Sequence, residues 1–168
     1  MKRNILITGA RGAGKSTLAD WLIGRLGRPC AGYRTVRDEI TPAGPLYRMT
    51  DLLTGESAPI SRLAGGGIRG VPETFDGFGA ACVRAALGSD APVLLFDEIG
   101  RFEQSSPAFL EAVTAALDSE KTVIAVLKKE EMPHIARFRA RRDGLLLDLD
   151  EIPRAAAREK LREFLDGT

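Results

Sequence analysis

The sequence is poor in the residues that build metal cages and disulfide frameworks: 168 residues hold one histidine and two cysteines, Cys30 and Cys82. The cysteines have no CxxC spacing and no histidine cluster beside them, which argues against a zinc site. They read as reduced, small apolar side chains of a cytoplasmic protein. No apolar run approaches the roughly 20 residues that span a bilayer, so no membrane association is expected. Met1-Lys2-Arg3 imitates the basic start of a signal peptide, but the apolar run behind it stops within a few residues, at glycines and Lys15. That run reads instead as a core strand. An excess of one charge is also missing. Lys and Arg number 24 against 23 Asp and Glu, a net charge of +1. No general field therefore attracts nucleic acid or anionic membrane. The local run Arg137-Phe138-Arg139-Ala140-Arg141-Arg142 reads as a solvated helix end.

The composition that remains, 44% hydrophobic and 28% charged, is that of a globular protein. The length favours a single domain over residues 1–168, large enough to bury roughly 70% of the unfolded chain's surface. It is expected to act as a monomer, and nothing in it specifies a protein partner. Asn4-Ile5-Leu6-Ile7-Thr8 is a short apolar run ending at glycine, as in a strand buried on both faces. Behind it, Leu18, Leu22 and Leu26 share one face of a helix that Gly27-Arg28-Pro29 stops. Two alternating segments, 32–37 and 46–51, flank the turn chemistry of Thr41-Pro42-Ala43-Gly44-Pro45, which predicts an antiparallel hairpin inserted after the first helix. Residues 54–71, centred on Gly65-Gly66-Gly67, read as a mobile loop. A helix is expected from Pro72 to Leu87, interrupted by Gly77 and Gly79. Strand Val93–Phe96 follows, then a helix from Ser106 to Leu117, with Ser106 as cap and Pro107 at its first position. Strand 122–127, a helix from Glu131, strand 144–149 and a helix from Pro153 to Leu165 close the chain. Such alternation predicts an α/β fold of three layers, with a central, mostly parallel sheet covered on both faces.

Two segments carry chemistry. Gly9-Ala10-Arg11-Gly12-Ala13-Gly14-Lys15-Ser16 lies between a predicted strand and a predicted helix, the context of a Walker A phosphate loop. Glycines let backbone N–H groups turn inward and approach phosphate oxygens. The helix beginning near Gly14 adds its positive dipole end. Lys15 is expected between the β- and γ-phosphates, Ser16 as a hard oxygen ligand of Mg²⁺, and Thr17 near the α-phosphate. Val93-Leu94-Leu95-Phe96-Asp97-Glu98 has the Walker B pattern. A buried strand beside the first would deliver Asp97 to the carboxyl edge of the sheet, where it orients Mg²⁺. Glu98, the next acid, is placed to polarise a water for attack on the γ-phosphate.

Asp97-Glu98-Ile99-Gly100-Arg101-Phe102-Glu103, followed by Ser105, Ser106 and Phe109, resembles the Asp-Glu-Ile-Gly-Lys-Met-Glu signature of the THEP1-type nucleoside-triphosphatases. Gly32-Tyr33-Arg34-Thr35, Leu46-Tyr47-Arg48-Met49, Thr54-Gly55 and Ile60-Ser61-Arg62 are similar to further segments of that family in the same order, over about residues 3–150. The resemblance implies a RecA-like P-loop NTPase domain with a hairpin insertion. It implies Mg²⁺-dependent hydrolysis of several nucleoside triphosphates to diphosphate and phosphate, with weak base selectivity. The nucleotide-contacting segments it implies are Gly9 to Ser16 and Leu95, Phe96, Asp97, Glu98, Ile99, Gly100, Arg101 and Phe102. This chain departs from the family in having Arg101 where lysine is usual, and Glu151-Ile152-Pro153-Arg154-Ala155 near its Asn-Arg-Asp motif, where Arg154 stands for the motif's arginine.

Among Arg48, Arg62, Arg101, Arg142 and Arg154, Arg101 leads as a transition-state arginine because it lies four residues past Asp97. Trp21, Phe102 and Phe138 read as packing residues. The lone His134 reads as structural or solvent-facing. Two rival readings remain open. One is a phosphotransferase acting on a nucleoside or other small alcohol, with Gly65 to Gly70 as acceptor site or lid. The other is a nucleotide-dependent adaptor that resembles the MobB-like GTP-binding modules.

Overall fold

The computed structural model describes residues 4–167; the Met1-Lys2-Arg3 start lies outside them. Among the described residues, seven strands form one sheet in the order β4-β3-β2-β7-β8-β1-β9, and β5 and β6 form a small second one. The strands are β1 (Asn4–Thr8), β2 (Cys30–Thr41), β3 (Gly44–Asp51), β4 (Ser57–Pro59), β5 (Ser61–Ala64), β6 (Gly67–Gly70), β7 (Val93–Ile99), β8 (Thr122–Leu127) and β9 (Gly144–Asp148). The helices are α1 (Lys15–Leu26), α2 (Pro72–Thr74), α3 (Ala80–Gly88), α4 (Pro107–Asp118), α5 (Pro133–Arg139) and α6 (Arg154–Asp166).

β2, β7, β8, β1 and β9 run parallel. Their apolar runs are continuous because both faces are covered, and alternate residues feed two cores. Leu94, Phe96, Val123, Ala125 and Leu6 join Phe75, Val83, Phe109, Val113 and Ile135 on one face. Leu95, Ile5, Ile7, Ile124 and Val126 join Leu18, Leu22, Ala157 and Leu161 on the other. The outer layers are thus α3, α4 and α5 on one side and α1 and α6 on the other. This is the expected three-layer α/β architecture with a mostly parallel sheet.

Three expectations change, and the inserted hairpin is borne out. The Asp97 strand does not lie beside β1, because β8 pairs with β1 on one edge and with β7 on the other. The crossover through α4 brings the chain back between them. The predicted hairpin exists, with Tyr33 opposite Asp51 and Thr41 opposite Gly44, but its first strand is itself the β7 neighbour. It extends the main sheet.

Residues 54–71 are not a structureless loop. They hold β4 and the β5–β6 hairpin, with Arg62 opposite Arg69. Gly65 and Gly66, at φ 57° and 78°, make the two-residue turn whose twist matches that of hairpin strands. Finally, Ser106 does not cap α4 with its side chain. Its hydroxyl faces the Pro72 carbonyl oxygen at 3.3 Å. The Asp76 carboxylate accepts from Ala108 N (3.0 Å) and Phe109 N (3.3 Å) instead. The α4 cap is tertiary, and Pro107 at the first position is as expected.

Between α2 and α3 the helix widens into a π turn over Phe75–Gly79. There Gly79 packs against Phe109 so closely that a Cβ would come within 3.0 Å of that ring. Leu18 and Leu22 are buried as expected and Gly27 ends α1 at φ 58°. Among the described residues no helix is long and apolar enough to cross a membrane.

Candidate active site

Every chemistry-bearing segment arrives at the carboxyl edge of the parallel strands, where open α/β sheets bind ligands. The loop after β1 turns back over the strand ends into α1. Leu18 N donates to Gly14 O at 2.9 Å, the first intrahelical bond. The N–H groups at the start of the helix have no intrahelical acceptor, an arrangement that suits an anion. The Lys15 ammonium curls across the loop to the carbonyl oxygens of Gly9 (2.9 Å) and Ala10 (3.0 Å).

Ser16 reaches the end of β7, where its hydroxyl donates to Asp97 Oδ1 at 3.1 Å. The other Asp97 oxygen faces Arg34 Nη1 at 3.4 Å, and Arg34 also pairs with Asp20 of α1. Burial pushes the Asp97 carboxyl above its usual range, against the Ser16 hydrogen bond and the Arg34 charge. Among the described residues no three His, Cys, Asp or Glu side chains gather into a metal cage. Ser16 and Asp97 are instead a sparse pair of hard oxygens. That suits Mg²⁺, which keeps waters and shares its shell with phosphates.

Glu98 is fixed through its backbone. Its N–H donates to Thr35 Oγ1 at 3.3 Å and its carbonyl accepts from the Tyr33 hydroxyl at 3.2 Å. Its carboxylate pairs with Lys128 Nζ at 3.4 Å. Gly9, Ala10, Arg11, Lys15, Tyr47, Glu98, Lys128, Lys129 and Glu130 line a cavity of about 270 Å³ beside the phosphate loop.

The Gly100 peptide behind this cavity is held at both ends. Its N–H donates to Glu103 Oε2 at 3.0 Å and its carbonyl lies 2.8 Å from His134 Nε2. Burial pushes the Glu103 carboxyl from its ordinary 4.5 up to about 8. Between those values the folded chain keeps a proton that the unfolded chain has released, so stability falls as pH rises through that window. Glu103→Gln is expected to flatten this fall. Urea midpoints measured from pH 5 to pH 8 would show a weaker decline than in the wild type.

A family model described as NTPase matches residues 4–162. The nucleoside-triphosphatase THEP1 of Methanosarcina acetivorans is 34% identical, with 95% of this chain and 98% of that protein aligned. The Thermofilum pendens nucleoside-triphosphatase THEP1 is 36% identical over 77% of this chain and 75% of its own length. The chain belongs to the THEP1 nucleoside-triphosphatase family. The crystal structure of THEP1 from Aquifex aeolicus superposes with a TM-score of 0.69 at 24% identity, over 87% of this chain and 89% of that one.

Within this THEP1 framework the candidate residues separate. Gly9 to Ser16, Asp97 and Glu98 come together. Thr17 is exposed on the first turn of α1. Leu95, Phe96 and Ile99 are fully buried, and their side chains serve the two cores. Their part is to deliver Asp97 and Glu98. Arg101 is exposed, stacks at 5.3 Å over Phe102, and is not part of the lining of the Lys15–Glu98 cavity. Arg154 lies against the phosphate loop at Gly14. A Cβ on Gly14 would sit 3.2 Å from Arg154 Cδ.

Arg48 pairs with Asp38, and Arg62 with Glu73. Arg142 is exposed. His134 is structural and buried, and Phe138 is buried. Trp21 is half-buried, with the Arg158 and Arg162 guanidinium groups over its ring.

Sequence reasoning missed Lys128, Lys129, Arg34 and Asp150. Asp150 accepts from Ala10 N at 2.9 Å with each carboxylate oxygen. Lys129 ties it at 3.0 Å to the end of β8. A signal for the lysines was present: they follow the apolar run of β8 just as Asp97 and Glu98 close that of β7.

Proposed function

We propose that this chain is a Mg²⁺-dependent nucleoside-triphosphatase that releases phosphate and nucleoside diphosphate. The observation that carries the reading is the shared cavity of Lys15 and Glu98, with the Glu98 backbone clamped by Tyr33 and Thr35. The THEP1 relatives, which carry that activity in their names, support it.

The loop N–H groups and Lys15 bind the phosphates. Ser16 and Asp97 would hold Mg²⁺, which supplies charge neutralisation at the phosphate oxygens when bound. Glu98 orients a water and takes its proton as the water oxygen bonds to the γ-phosphorus. The bond from phosphorus to the β–γ bridging oxygen breaks, and its electron pair leaves with the diphosphate. The segment that a phosphotransferase would have used as acceptor lid, Gly65 to Gly70, is an ordered hairpin, and Gly70 sits against Phe102. The free thiols Cys30 and Cys82 are in keeping with a cytoplasmic setting.

Incubation with ATP, GTP, CTP or UTP and no acceptor should release phosphate in the presence of Mg²⁺ and lose that release with EDTA. Absence of phosphate release with all four would overturn the reading.

A further inference from the structure

Lys128 belongs to neither phosphate motif, yet it lines the same cavity as Lys15 and Glu98. Its position is constrained from several sides. The ammonium pairs with Glu98 Oε1 at 3.4 Å and keeps about a third of its side-chain surface exposed. The rings of Tyr47 and Phe102 are centred 5.9 and 5.7 Å from it. Its stem crosses Gly100 so closely that a Cβ there would lie 2.8 Å from Lys128 Cδ.

A surface lysine ordinarily keeps its rotamer freedom, and ordering it against two rings and a backbone carries an entropic cost. Here the order aims a partly desolvated positive charge into the phosphate cavity, where it acts more strongly than in water. The insertion of β8 between β1 and β7 makes this possible, because the end of β8 then opens between the phosphate loop and Glu98.

We propose that Lys128 is a catalytic residue that binds the γ-phosphate from the side opposite Lys15. It rests on the reading that the site takes a triphosphate. The Lys128 ammonium takes a γ-phosphate oxygen and stabilises the charge that spreads over the γ-phosphoryl group while the bond to the bridging oxygen breaks and Glu98 receives the water proton. Its pairing with Glu98 also keeps that carboxylate on the cavity wall.

The test compares Lys128→Gln and Lys128→Arg with the wild type. Binding of a β–γ imido NTP analogue and of the matching NDP is measured with Mg²⁺ present, beside kcat for phosphate release. In Lys128→Gln the analogue should bind about 10- to 100-fold more weakly, the loss of one charge-assisted hydrogen bond, with NDP affinity held within about twofold. The kcat should fall about tenfold or more, and Lys128→Arg should recover part of the preference for triphosphate.

Equal weakening of analogue and NDP, or no change in either, in a Lys128→Gln protein of wild-type Tm would overturn the proposal. If the wild type releases no phosphate while Lys128→Gln still loses its preference for triphosphate, the γ-phosphate contact stands and the hydrolysis reading fails. If the wild type hydrolyses and the preference is unchanged, Lys128 fails and the hydrolysis reading stands.

Discussion

Replacing Glu98 with glutamine should lower phosphate release by about 10²- to 10⁴-fold, the range of a lost general base, while Mg-NTP binding survives. The amide keeps the size of the side chain, but it cannot take a proton from water. The Glu98 backbone bonds to Tyr33 and Thr35 do not involve the substituted atoms, so the strand end stays in place. Lys128 loses its counter-charge at 3.4 Å and becomes freer to meet phosphate. Triphosphate affinity should therefore hold or rise. The measurement is single-turnover phosphate release beside equilibrium binding. Wild-type hydrolysis by Glu98→Gln would remove Glu98 as the base and leave the water to be oriented by another group.

The largest expected effect on stability is at Gly32, where β2 passes β7. A Cβ added there would lie 2.0 Å from the Leu95 carbonyl oxygen and 3.0 Å from two further Leu95 backbone atoms, at a φ of +115°. Neither partner can move. Gly32 and Leu95 are paired in the parallel ladder. The Gly32 carbonyl also accepts from Leu52 N at 2.9 Å and from the Cys82 thiol at 3.3 Å.

Gly32→Ala is expected to cost about 4 kcal/mol or more, the range reserved for strain and clash at buried backbone. A domain of this kind has only about 5–15 kcal/mol to lose. Gly24, on α1, is the control. A Cβ there meets nothing within 4 Å, so Gly24→Ala should stabilise by about 0.5–1 kcal/mol. Urea midpoints of the two variants should move in opposite directions. A Gly32→Ala protein with a wild-type midpoint would contradict the packing of β2 against β7.

Much of this molecule was legible locally. The β1 run, the phosphate loop, the apolar run of β7 with its two acids, and the Tyr33-to-Asp51 pairing all rest on short-range patterns of burial and turn chemistry. The β5–β6 hairpin was missed because its strands are four residues each and rich in glycine, so they show little alternation. Capping of α4 by Asp76 was missed because the carboxylate comes from 32 residues earlier in the chain. Arg101 was favoured for its closeness to Asp97 in sequence. In the structure Arg101 is exposed and stacks over Phe102, while Lys128 is the cation paired with Glu98.

From the sequence alone came the phosphate loop, the acids Asp97 and Glu98, the layered α/β class and the family resemblance. All of these depend on residues close together along the chain, where spacing and side-chain type define local geometry. The tertiary structure paired Lys128 with Glu98. It placed β8 between the two motif strands and brought Asp150 and Lys129 onto the loop at Ala10. These depend on strand order and on approaches between distant segments, set by how both faces of the sheet are buried at once, and no local pattern along the chain encodes them.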